Sequence, residues 1–302
     1  MNKRICMIIC LAAIMLVCLF TWAGKQENDA RLVAWTETAD AGTDYIKIYS
    51  TASDSVIETL PGSLIIGPDE NSLYCYEKEE KNTALYSVSS RLVKEKICDI
   101  PLEEYSQIIA YLDHKLYYID DTFLKCADAA GKIQSVIKFK GSEQYQPFPQ
   151  PSPDGKWAYS YLSDGEYYID MINAHGTVTA TIRGIWPTWY DTNTLLLKDS
   201  PTARELTAYD YAAQIAYDFP GNAYDTNYSL FYTGGIFVDS EQKYLTYAGV
   251  QYQHFGPFEL DYPQGFKIII QDLQNGQKEE IPLPTENMKP LWIIANIPSA
   301  QP

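Results

Sequence analysis

The chain predicts an all-β fold in which one small sheet is repeated around a ring, and three observations lead there. The composition suits pleated, half-buried surfaces: 25 of the 302 residues are tyrosine, and Tyr, Val, Ile and Thr are strand-forming types. Short apolar runs alternate with polar turns along most of the chain. The runs also recur at a regular spacing. Strands open near Arg31 (RLVAW), Ser72 (SLYCY), Lys115 (KLYYI), Lys156 (KWAYS), Thr194 (TLLLK) and Lys243 (KYLTY), which are 41, 43, 41, 38 and 49 residues apart. A period of about 40–45 residues with several strands per unit is the spacing of propeller blades. The expected fold is therefore a six-bladed β-propeller with four-stranded antiparallel blades.

The unit is clearest around PSPDGKWAYSY, residues 151 to 161. A polar turn leads into the strand at Lys156-Trp157-Ala158-Tyr159. Asp164-Gly165 turns the chain into YYIDMI, a turn at Ala174-His175-Gly176 follows, and the strand TVTATI ends at Arg183-Gly184. Comparable polar turns precede the other first strands: GPDEN at 67–71, LDH at 112–114, YDTN at 190–193 and VDSEQ at 238–242. Strands that end in Asp or Asn before a turn recur at Asp128, Asn173, Asp210 and Asp272, as expected where a short side chain caps the following backbone. Closing signals fall at Pro61-Gly62, Pro101, Gly141, Gly184, Pro220-Gly221 and Pro282.

At Pro151-Ser152-Pro153-Asp154-Gly155-Lys156 the sequence resembles the TolB-like (WD40-like) six-bladed propellers, whose blades carry a P-x-W-S-P-D-G-K segment. The Trp of that segment is not kept in this copy. Trp186-Pro187-Thr188-Trp189-Tyr190-Asp191 is a second, degenerate copy that keeps the Trp. The resemblance runs through the repeat from about residue 29 to 297.

Closure of the ring has its own argument. Each later first-named strand follows a short extended stretch, SLIIG, QIIAY, PFPQP, WPTWY or GGIFV, which would be the innermost strand of its blade. The first unit lacks one, while Lys289-Pro290-Leu291-Trp292-Ile293-Ile294-Ala295 is left over at the other end. If this segment completes blade one, no blade edge is left open. The alternative is a trailing edge strand.

Before the repeat, Met1-Asn2-Lys3-Arg4 leads into nineteen uncharged, mostly apolar residues and then GKQEND. That pattern reads as a signal peptide or N-terminal membrane anchor over residues 1–24, with the propeller over 25–302. The positive flank directs the following chain across the membrane. Lipidation at Cys18 is an alternative, but Val17 stands where such a signal has a small residue. Without Lys3 and Arg4 the remainder has 21 basic and 39 acidic residues, a formal charge of −18. This disfavours nucleic acid and anionic lipid surfaces as partners and suits a soluble, exported, monomeric propeller.

The remaining cysteines, Cys75, Cys98 and Cys126, are odd in number and irregularly spaced, which is not a disulfide framework. Cys75 and Cys98 would occupy the second and fourth strands of one blade, about 9–10 Å apart. That is too far for a disulfide, so free thiols are expected.

No catalytic constellation stands out. There is no G-x-S-x-G elbow, no HxH, HExxH or EF-hand spacing and no glycine-rich phosphate cradle. The three histidines leave few options for a triad, and His114 and His175 fall in turns. No metal or cofactor is expected. What remains is a binding surface, and the resemblance implies that it lies on the face made by the blade-to-blade and second-to-third-strand loops. Blades one to three offer polar loops there, such as TETADAGTD and EKEEKNT. Later blades offer Tyr145, Trp186, Trp189, Tyr224 and Tyr228. The loop after YLTYAG is longer than its counterparts by about a dozen residues and holds Tyr252, His254, Phe255, Phe258 and Tyr262; loops of that length are more often functional than short connections. Such aromatics can stack on sugars or anchor a peptide, or else pack between blades.

The expected function is an extracytoplasmic binding or scaffolding module for an envelope protein or glycan, joined to the membrane only through its N-terminal segment. The alternatives are a propeller enzyme, a lyase or hydrolase with its site at the channel mouth, and a structural envelope protein. The apolar inner strands SLIIG and GGIFV weigh against the enzyme.

Overall fold

The computed structural model describes residues 31–298 apart from 40–42, 70, 80, 103–106, 141–148, 202, 204, 220–227, 231–236, 240–241, 256–259 and 284–293. The described residues are all β, with no helix among them. Blade one holds β1 (Arg31–Thr38), β2 (Asp44–Ser50) and β3 (Ser55–Pro61). Blade two is β4 (Ser63–Ile65), β5 (Ser72–Lys78), β6 (Thr83–Ser89) and β7 (Lys94–Ile100). Blade three is β8 (Gln107–Leu112), β9 (Lys115–Asp120), β10 (Phe123–Asp128) and β11 (Ile133–Lys138). Blade four is β12 (Gln150–Pro151), β13 (Trp157–Ser163), β14 (Glu166–Ile172) and β15 (Val178–Arg183). Blade five is β16 (Ile185–Trp189), β17 (Thr194–Lys198), β18 (Thr207–Asp210) and β19 (Ile215–Asp218). Blade six has its inner position in two pieces, β20 (Tyr228–Leu230) and β21 (Phe237–Val238), followed by β22 (Tyr244–Phe255), β23 (Leu260–Asp272) and β24 (Lys278–Leu283).

The last strand, β25 (Ile294–Pro298), pairs antiparallel with β1, Arg31 opposite Pro298 and Ala34 opposite Ala295. The sheet order β25-β1-β2-β3 makes blade one four-stranded and closes the ring. Of the segment at 289–295 expected to complete blade one, Ile294 and Ala295 lie in this strand, and residues 289–293 lie outside the described residues. Arg31 fastens the same seam from its side chain. Its guanidinium lies 3.4 Å from the centre of the Tyr244 ring and 3.8 Å from the Asp239 carboxylate in blade six.

The turns behave as their short polar side chains dictate. Asp128 accepts from the backbone N–H groups of Ala130 and Lys132, at 3.0 and 2.9 Å. Asn173 accepts from His175 and Thr177, both at 3.0 Å, and Asp272 from Gln274 at 2.8 Å. At the turns before second strands, Asp191 accepts from Asn193 and Thr194, and Asp239 from Lys243 and Tyr244. In the best-preserved copy Ser152 takes this part, accepting from Lys156 N–H at 2.8 Å, while Gly155 sits at φ +83°. The repeat seen in the sequence is therefore largely a repeat of turn chemistry.

Alternate residues of each blade face opposite neighbours, so the core lies in the seams. Val33, Trp35 and Tyr49 of blade one meet Ile268, Ile270 and Ile281 of blade six. Trp157 and Tyr159 pack towards blade three against Ile109, Ile119 and Phe139. Leu195 and Leu197 pack towards blade four, while Leu196 between them packs towards blade six. Cys75 and Cys98 flank β6, opposite Tyr86 and Leu85 respectively, and with Cys126 they are free thiols. The expectations for residues 1–24 lie outside the described residues.

A candidate binding face

Because neighbouring strands in a blade run in opposite directions, the connections sort onto two faces. Turns between first and second strands and between third and fourth strands share one face. The second-to-third connections and the blade-to-blade connections share the other, referred to below as the connection face.

Blade six rises above the rest on the connection face. β22 and β23 run 12 and 13 residues, whereas their counterparts β5, β6, β13 and β14 each run seven. Five extra residues extend the ladder by about 17 Å at ~3.3–3.4 Å per residue. Pairing continues from Tyr244 opposite Asp272 to Phe255 opposite Leu260, with a bulge after Gln251. A bulge bends and twists a ribbon locally. The segment read from the sequence as a long loop is thus mainly a β-hairpin: its polar alternation, QYQHF against LDYPQG, permits a ladder that the loop reading overlooked. Tyr252 stands opposite Pro263, Tyr262 opposite Gln253, and His254 opposite Asp261. Tyr228, in β20, pairs with Gln251 at the hairpin's base.

The other predicted residues divide. Trp186 lies near the connection-face end of β16, partly exposed, in a bulge between Ile185 and Thr188 and at φ +56°. A non-glycine residue in this left-handed region carries strain. Trp189 does not join it. At the other end of the strand it is 7% exposed, donates its indole N–H to the Gln150 carbonyl at 3.3 Å and packs against Ala158, Ile169 and Met171 of blade four. Tyr145, Tyr224 and Phe258 lie outside the described residues.

One residue beside Trp186 escaped sequence reading. Lys198 ends β17, directly opposite Ile185, and is 1% exposed. Strand alternation turns it, like Leu196, towards blade six. Its ammonium donates to the Pro201 carbonyl at 3.2 Å and lies 4.9 Å from the centre of the Trp186 ring. Burial pushes its pKa down to about 8. Counting from the start of each second strand, Lys198 is level with Ala248, where β17 ends and β22 runs on to Phe255. In TLLLK the lysine reads as the polar end of an apolar strand, so nothing in the sequence marks it as buried.

A second buried charge behaves differently. Asp170 of β14 is wholly buried and accepts from Thr181 at 2.6 Å, Tyr159 at 3.3 Å and Tyr161 at 3.4 Å, and it pairs with Lys140 at 2.8 Å. The Lys140 pKa is raised, chiefly by that hydrogen bond, and the Tyr159 phenol is raised, chiefly by burial. This cluster ties the chain leaving blade three to the middle of blade four. Among the described residues no group of three or more His, Cys, Asp or Glu side chains is placed to hold a metal ion.

Solved structures similar to this chain include TolB from Acinetobacter baumannii, with 12% identity and a TM-score of 0.56 over 88% of this chain. The fold is that of the TolB-like propellers. The match spans 66% of that TolB chain, slightly under two thirds of its length. A chain of a nidogen/laminin complex matches at 13% identity and a TM-score of 0.53, over 89% of this chain and 99% of that one. At these identities the likeness concerns the fold. No protein-family model matches the sequence, and no curated protein does either.

Proposed function

We propose that the chain is an exported TolB-like propeller that binds an envelope protein or glycan on its connection face. The observation that carries this reading is the blade-six hairpin, which extends the regular ladder well past the other blades and brings Tyr228, Tyr252, His254, Phe255 and Tyr262 onto one paired ribbon. Tyr and Phe supply large contact areas at low entropic cost, and Tyr suits positions that stay partly wet. The nidogen/laminin structure gives a precedent for a propeller of similar fold crystallised in a complex with a protein. Export follows from the apolar segment after Lys3-Arg4, which would act as a signal peptide or anchor, and the acidic remainder fits a soluble module on the outer side.

The test is to replace residues 252–263 by Asn-Gly, a sequence that favours a tight hairpin turn, so that blade six ends level with its neighbours. The trimmed protein should keep its β circular dichroism and its cooperative melt, but lose binding to purified wall glycan or to a solubilised membrane-protein fraction. Undiminished binding would remove the hairpin from the site. Fractionation with external protease tests export: the propeller should be digested in intact cells after removal of the outer layers.

A further inference from the structure

Two anomalies meet at the top of the seam between blades five and six. Lys198 buries an ammonium where the run Leu195-Leu196-Leu197 would lead one to expect another aliphatic residue. Among the described residues its hydrogen bond is to the Pro201 carbonyl, its other contact is the Trp186 ring, and no carboxylate pairs with it. Burying an ammonium without an anion costs several kcal/mol, and among the described residues a single oxygen, of Pro201, accepts from its three N–H groups. On the paired strand, Trp186 is held at φ +56° inside a bulge, and strain of this kind clusters at ligand sites. Both residues lie on the face carrying the hairpin.

We propose that Lys198 and Trp186 form a subsite for a carboxylate-bearing sugar, with the ammonium taking the carboxylate and the indole taking the face of the sugar ring. This deepens the binding role proposed above and rests on its glycan arm. A sugar fits better than an acidic peptide because an aromatic platform adjoins the cation. A single carboxylate also suits a protein whose overall acidity repels polyanions.

The probes are cellobiouronate and its neutral counterpart cellobiose, titrated into the full chain purified in detergent. The uronate should bind more tightly at neutral pH by about tenfold, the scale of a hydrogen bond to a charged group. Its advantage should decline as the pH rises through about 8, where the ammonium loses its proton. Lys198→Met should abolish the preference while remaining folded, Lys198→Arg should keep most of it, and Trp186→Ala should weaken both sugars. Equal binding of the two sugars, binding of neither, or a preference that survives Lys198→Met would overturn the proposal. So would binding of a Glu-containing peptide in place of the uronate. Loss of partner binding on trimming the hairpin, with any of these outcomes, would leave the wider binding role standing.

Discussion

Blades four and five each bury one charge, and they do so in opposite ways. Asp170 in blade four has three hydroxyl donors and a lysine around its carboxylate. Lys198 in blade five has one carbonyl and the face of a tryptophan. The first is a closed network that fastens two blades. The second is an incomplete one, placed beside strained backbone and below the hairpin that breaks the repeat. Blade four, the most regular copy of the sequence motif, therefore holds architecture, and the irregular region next to it holds the candidate for function.

This contrast predicts opposite signs for two substitutions. Asp170→Ala leaves the hydroxyl groups of Thr181, Tyr159 and Tyr161 without their acceptor while the half-exposed Lys140 stays hydrated, and should cost about 2–3 kcal/mol, the upper part of the range for stranding buried donors. Urea unfolding followed by tyrosine fluorescence measures it, and a loss below about 1 kcal/mol, the scale of an exposed ion pair, would show the cluster to be peripheral. Gly184, where blade four passes into blade five, sits at φ +144°, and a Cβ there would meet Leu197 Cδ1 at 2.6 Å and the Lys198 carbonyl at 3.1 Å. Gly184→Ala should cost about 1–3 kcal/mol through strain and overpacking, and it should also disturb uronate binding.

The smallest effect has the other sign. Lys198→Met removes an unpaired buried charge and should stabilise the fold by about 1–2 kcal/mol at neutral pH. In the parent protein the folded pKa of about 8 lies below the unfolded value of about 10.4, so between the two the unfolded chain binds more protons. The parent's stability accordingly rises with pH across that window. The advantage of Lys198→Met should be full below about 8 and should fade as the pH approaches about 10.4, which thermal melts at several pH values can follow. A constant difference across the series would mean that folding leaves the Lys198 pKa unshifted.

The regular part of the molecule was legible because its signals are local. Asp128, Asn173, Asp210 and Asp272 cap turns a few residues away, and an alternating strand announces its two faces wherever it lies. The closing strand was legible by counting, since one unit lacked an inner strand and one segment was left over, and Ile294 and Ala295 of that segment pair with β1. The site was less legible. Trp186 and Trp189 are three residues apart in one motif, yet the bulge leaves the first partly exposed near the connection face while the second is buried against blade four. The long blade-six loop was recognised as an exception, but its pairing into a hairpin depends on register between two polar stretches that carry little hydrophobic signal.

Sequence alone determined the class of fold, the number of blades and the device that closes the ring, because turn chemistry and strand alternation act over a few residues and repeat six times. Tertiary structure decided which charges are buried and what surrounds them. Asp170 and Lys198 both stand in strands whose patterns are unremarkable, and only the packing of one blade on the next surrounds the carboxylate with donors and leaves the ammonium with a single carbonyl and an indole.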